Sequence, residues 1–176
     1  MISDFVKGAK KNEFENDVRQ GIMLHRAIDS FTDTHPATAE AKEIFRPHYR
    51  LYSGAIMDIL YDHFLANDSN EFSQQSLYQF SIDTYDILDG HQSILPNHFA
   101  QALTHMKAHN WLYNYRSPEG MKNCLIGLVR RAAYLTESET AFQLFMDHYK
   151  KLEECYHRFF PDVKQFAKQK MDELLL

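Results

Sequence analysis

The chain is poor in the residues that punctuate β structure. Its 176 residues include six glycines and five prolines, roughly half the usual combined share. That leaves too little turn chemistry for the many short strands of a sandwich or barrel. Two cysteines, Cys124 and Cys155, with no Cys-x-x-Cys spacing, provide neither a disulfide framework nor a zinc ribbon. They fit a reducing compartment, and a cytoplasmic location is expected. No apolar run approaches the roughly 18 residues that span a bilayer, and Met1-Ile2-Ser3-Asp4 carries no basic segment followed by an apolar one. No membrane association is expected. A basic excess is also missing: the net charge is −5, which argues against a nucleic-acid partner. Walker A, Gly-x-Ser-x-Gly, His-Glu-x-x-His and the dinucleotide-binding glycine fingerprint are all absent, so the main non-metal chemistries lack their local signatures.

What is present is ordinary globular composition, 44% hydrophobic and 24% charged, in a length of about one domain. The apolar positions recur at helical spacing. Val18, Ile22, Ile28 and Phe31 predict a helix over about 15–33, which His35-Pro36 ends. A shorter helix is expected over 37–45, stopping before Pro47. Leu51, Ala55, Ile56, Ile59, Leu60 and Phe64 form a broad stripe over about 51–65, which reads as a buried helix. Further helices are expected over 73–88, with Gly90 as the stop, over 96–109 and over 118–134. A last run over 136–159 has Thr136 and Glu139 at capping-box spacing, and Pro161 starts a final helix or kinks the preceding one. The expectation is an all-α, single-domain bundle of seven or eight helices covering residues 1–176.

Ten histidines make histidine alone a poor guide, so spacing has to decide. His25, Asp29 and Asp33 stand four residues apart on the first long helix and project from one face. Asp58, Asp62 and His63 repeat the theme on the third. Imidazole with carboxylate and no thiolate suits Mn, Fe or Zn. Two adjacent Asp-His pairs occur, Asp62-His63 and Asp147-His148, close to chance, so the pair by itself says little. What singles out the first is its place in an otherwise apolar helix, where a carboxylate must find a cation or donors. A metal site and a set of paired structural polar groups remain alternatives on these residues alone. Positive charge concentrates near the N-terminus, at Lys7, Lys10, Lys11, Arg19 and Arg26, followed by Arg46 and Arg50. Arg130-Arg131 closes an apolar helix, to meet phosphate or to balance the helix C-terminus.

The segments Ile2-Ser3-Asp4-Phe5-Val6-Lys7-Gly8, His25-Arg26-Ala27-Ile28-Asp29-Ser30-Phe31-Thr32-Asp33-Thr34-His35-Pro36 and Asp58-Ile59-Leu60-Tyr61-Asp62-His63-Phe64-Leu65 resemble those of the acyl carrier protein phosphodiesterase family. Trp111-Leu112-Tyr113-Asn114-Tyr115 and the stretch from Gly127-Leu128 to Arg131 are also similar to it. The resemblance implies an all-helical, HD-like relative of the HD phosphohydrolases. Its implied reaction is manganese-dependent removal of 4′-phosphopantetheine from holo acyl carrier protein, giving the apo form. Carried over by position, Asp4, His25, Asp29, Asp62 and His63 form the implied metal set. Asp29, Asp33, Asp58 and Arg26 are the implied catalytic groups. Lys7, Arg26, Arg46, Arg50 and Arg131 are candidates for docking the acidic carrier protein or gripping the phosphodiester. Mn²⁺ is the expected cofactor, with Mg²⁺ or Fe²⁺ as alternatives. The family also carries a segment ahead of its Asp-Phe-Val motif, with an Asn-aromatic-Leu-Ala-His run, that has no counterpart before Asp4. A shortened or internally started chain is therefore expected. Two other readings stay open: a metal phosphohydrolase acting on a small phosphoester or nucleotide, and a helical binder of the carrier protein without turnover. Oligomeric state is not legible.

Overall fold

The computed structural model describes residues 2–175. Among these, nine α-helices and four short 3-10 turns account for nearly all of the ordered backbone, and no strand occurs. The helices are α1 (Asn16–Thr34), α2 (Pro36–Tyr49), α3 (Ser53–Asn67), α4 (Gln74–Gly90), α5 (Asn97–Ala108), α6 (Trp111–Asn114), α7 (Pro118–Arg131), α8 (Glu139–Asp147) and α9 (Tyr149–Leu175).

The joints follow local chemistry. His35, ahead of a proline, is held extended at φ −67° and ψ 134°, which stops α1. Pro36 then opens α2 at a position that needs no N–H, and His35 Nδ1 accepts from Ala37 N at 3.2 Å. Ser73 caps α4 in a reciprocal box with Ser76, and Gly90 ends it as expected.

Several boundaries differ from the sequence expectation. Helix α2 continues through Pro47, and α9 runs through Pro161. Both prolines lie on exposed faces, where the carbonyl each leaves without a donor is open to water. The run over 136–159 splits at His148, which adopts φ −110° and ψ 16°, and 111–114 forms an extra turn of helix. These two features raise the count to nine. The box expected at Thr136 and Glu139 does not form; Glu137 accepts from Thr140 N at 2.9 Å instead. Helix α7 stops at Arg131, where Ala132 turns to extended backbone at φ −82° and ψ 132°.

Helix α3, with its broad apolar stripe, forms the centre of the main layer, with Ile56, Met57, Leu60 and Phe64 buried. It packs on α2 and α7, and the long α9 lies along α1 and α2. The residues buried there, among them Phe45, Phe145, Leu152 and Tyr156, form the larger core. A second, smaller core of Tyr85, Leu95, Phe99, Leu103 and Met106 belongs to α4, α5 and the turn between them, with Phe5 and Trp111 packed against it. Between the two layers runs a cleft of about 760 Å³. None of the helices in the described residues is long and apolar enough to cross a membrane.

Candidate active site

Three segments bring acidic and imidazole groups to the cleft: the N-terminal 3-10 turn with Asp4, α1 with His25 and Asp29, and α3 with Asp58 and Asp62. On α1, one turn apart, His25 Nδ1 and Asp29 Oδ2 are 2.9 Å apart. The other ring nitrogen, Nε2, lies 3.8 Å from Asp4 Oδ1. That exceeds a hydrogen bond and is a span two ligands about 2.1 Å from one cation can subtend. Asp4, His25 and Asp29 each offer a donor atom, and these atoms all lie within 4.8 Å of one another. An O,O,N set of this kind suits a divalent cation of the Mn or Fe type.

Asp4 reaches this position because its turn is tied down twice. Phe5 packs on Phe99 at 5.2 Å between ring centroids. Arg26 extends from α1 to donate to Val6 O at 2.5 Å and to Gly8 O at 3.3 Å. Gly8 itself takes φ +56°, a left-handed conformation that favours glycine. The guanidinium read as a catalytic or substrate group is thus engaged with backbone carbonyls. Arg26 is a clamp for the segment that carries Asp4.

Asp58 and Asp62 stand one turn apart on α3. Both carboxyls are exposed to the open cleft, although protein surrounds them on the other sides. Burial first, then the negative charges of Asp29 and Asp33, pushes the Asp58 carboxyl up to about 6. Burial and the charge of Asp58 push Asp62 up to about 7, against a hydrogen bond from Tyr115. Asp33 stands outside the cleft wall and pairs with the largely buried Lys42 at 2.7 Å.

His63 is not part of this group. Successive side chains on a helix diverge by about 100°, and that of His63 turns into the core, 3% exposed. Its Nδ1 is 2.7 Å from Tyr115 O and its Nε2 3.2 Å from the Tyr149 hydroxyl. With both nitrogens engaged it has no lone pair to offer a cation in the cleft. Burial also pushes its pKa down. This corrects the reading of His63 as a ligand.

Of the basic candidates, Arg131 lines the cleft. Lys7 is exposed beside the Asp4 turn. Arg46 pairs with Glu43 on the outside of α2, and Arg50 sits at the α2–α3 junction with φ +47°; neither borders the cleft. Sequence reasoning left out Tyr115 as a partner of Asp62, and Lys164, which lines the cleft while gripping Glu71 at 2.6 and 2.7 Å. It also left out most of the apolar wall, in which Phe80, Phe99 and Phe160 join Trp111. No helical period in the sequence links these positions, because the wall is assembled from four helices.

The model of the acyl carrier protein phosphodiesterase family matches residues 1–163. Three curated relatives, each named acyl carrier protein phosphodiesterase, are similar over 171 residues, 97% of this chain. The protein of Photorhabdus laumondii is 29% identical with 86% of its length covered, that of Yersinia pestis 29% with 89%, and that of Enterobacter sp. strain 638 30% with 89%. No solved structure matches. The protein is thus an all-helical enzyme whose cleft gathers carboxylates and an imidazole. It belongs to the acyl carrier protein phosphodiesterase family.

Proposed function

We propose that the chain hydrolyses the phosphodiester between 4′-phosphopantetheine and a serine of holo acyl carrier protein, in a reaction that depends on a divalent cation, Mn²⁺ first among the candidates. The observation that carries the reading is the convergence of Asp4, His25, Asp29, Asp58 and Asp62 at one cleft in a chain of this family. Asp4, His25 and Asp29 would hold the cation, with Asp62 facing them. When bound, such an ion polarises a phosphoryl oxygen and acidifies a water.

The remaining steps belong to the chain's own residues. Asp58, with its raised pKa, is suited to take a proton from the attacking water near neutral pH. Arg131, on the cleft wall, balances phosphoryl charge. Water adds to phosphorus, the bond from phosphorus to the serine oxygen breaks, and the serine oxygen takes up the proton that Asp58 received and leaves as a hydroxyl. The apolar wall gives the pantetheine arm a place to lie. Lys7 and Lys10, exposed next to the Asp4 turn, and the half-buried Lys11 offer positive charge to an acidic protein partner.

Intact-mass measurement of holo acyl carrier protein incubated with the chain and Mn²⁺ tests the reading. Loss of the phosphopantetheine mass, abolished by EDTA, is the expected result. No mass change, or a change that survives chelation, overturns it.

A further inference from the structure

A second, smaller cavity opens beside Asp62, in the wall of the cleft. It measures about 90 Å³, less than the roughly 150 Å³ of an apolar protein cavity that holds benzene, so it suits a branched group of a few carbons. Ala66 near the end of α3, Phe72 in the loop that follows and Leu77 on α4 line this cavity alone, whereas Asp62 and Phe80 face both spaces. Asp62 and Tyr115 are its only polar lining residues, and a polar ligand group set among the others would give up hydrogen bonds to water. The cavity is built in advance of any ligand. Phe72 N donates to Asp68 O at 2.9 Å, and the Asp68 carboxylate accepts from Asn70 N at 2.9 Å and from the Tyr156 hydroxyl at 3.1 Å. The Phe72 ring meets that of Phe80 at 5.4 Å between centroids. Phe80 still stays 48% exposed, which leaves an aromatic surface for a ligand to cover where the two spaces meet.

We propose that this cavity is a specificity subsite, which seats the paired methyl groups on the pantoyl unit of 4′-phosphopantetheine. A phosphodiester held at Asp62 has two arms. The serine arm belongs to a folded carrier protein and cannot enter so small a space. In the other arm a single methylene separates the ester oxygen from a carbon that bears two methyls, the one branched apolar group of the arm and the one nearest phosphorus. The amides beyond it are polar, and the thiol stands at the far end. Binding energy gathered at these methyls, away from the bond that breaks, serves to hold phosphorus in register with the attacking water. The inference rests on the reading of the chain as a hydrolase of holo acyl carrier protein.

Two carrier proteins test it, one bearing the natural arm and one bearing an arm whose quaternary carbon carries two hydrogens in place of the methyls. A group missing from an apolar pocket typically costs about tenfold or more. With Mn²⁺ present, kcat/KM is therefore expected to be at least about tenfold higher on the natural carrier. Ala66→Leu fills the cavity from a residue that lines it and not the cleft, and leucine suits a helix. This variant is expected to bring the ratio of the two kcat/KM values close to one, and Ala66→Val to lower it part of the way. Any difference in intrinsic reactivity between the two diesters cancels when ratios are compared between proteins. Ala102→Leu narrows the cleft at a residue outside the cavity and is expected to keep the wild-type ratio.

A ratio near one, or a reversed one, in the wild-type protein overturns the subsite and leaves the hydrolysis standing. That measurement needs no variant to fold. A preference that survives Ala66→Leu unchanged, or that Ala102→Leu abolishes as readily, overturns the assignment to this cavity. Ala66→Val carries the comparison if leucine at position 66 unfolds the protein. Cleavage of neither carrier by the wild-type protein overturns the proposed hydrolysis, and the subsite falls with it.

Discussion

His25 Nδ1 lies 2.9 Å from Asp29 Oδ2, one turn along α1, and this contact turns the opposite ring nitrogen toward Asp4. A carboxylate in this place fixes the tautomer and raises the basicity of the ring. His25→Ala and Asp29→Ala are each expected to lower turnover at least about a hundredfold, with helical circular dichroism unchanged because both side chains are partly exposed. Wild-type rates in either variant would remove the pair from the site.

The Arg26 clamp makes a separate prediction. Arg26→Ala removes two hydrogen bonds to the backbone at Val6 and Gly8 and frees the turn that carries Asp4. The expected cost in stability is about 1 kcal/mol, while Mn²⁺ affinity falls together with that of Asp4→Ala. Lysine lacks the planar fork, so Arg26→Lys is expected to restore little. Calorimetry on the three variants checks this, and an Arg26→Ala protein that binds Mn²⁺ as tightly as wild type would argue against the clamp.

The raised carboxyls of Asp58 and Asp62 give the metal-free protein a pH dependence. Between the ordinary carboxylate range and about 6 to 7, the folded state holds protons that the unfolded state has released. Stability contributed by these groups is therefore present at low pH and lost as pH rises through their folded values. Urea unfolding of metal-free protein at pH 5 and pH 8 is expected to show a lower midpoint at pH 8, with the difference reduced in Asp58→Asn with Asp62→Asn.

Two glycines on α7 predict opposite outcomes. A methyl at Gly120 meets Asn114 O at 1.8 Å, whereas one at Gly127 meets nothing within 4 Å. Gly120→Ala is expected to destabilise by about 3 kcal/mol. Gly127→Ala is expected to stabilise by about 0.5 to 1 kcal/mol, since alanine suits a helix interior. Thermal unfolding of the two variants separates them.

The helices could be read from sequence where an apolar face repeats every three or four residues. The stripe through Ile56, Leu60 and Phe64 announced α3, and His35-Pro36 announced the α1–α2 joint. Pro47 misled, because whether a proline breaks a helix depends on which face it occupies, and solvent exposure is a tertiary property. The break at His148 carried no glycine or proline to mark it.

The candidate site divides in the same way. Spacing along one helix determines that His25 meets Asp29 and that Asp58 and Asp62 share a face, for both are consequences of the 3.6-residue turn, and composition excludes a thiolate centre or a phosphate loop. Only the tertiary structure decides that Asp4 joins His25, that Arg26 clamps a backbone, and that His63 turns inward to Tyr115. Those contacts close over 20 to 52 residues of sequence, and their energetics depend on which faces pack together. No local pattern encodes that.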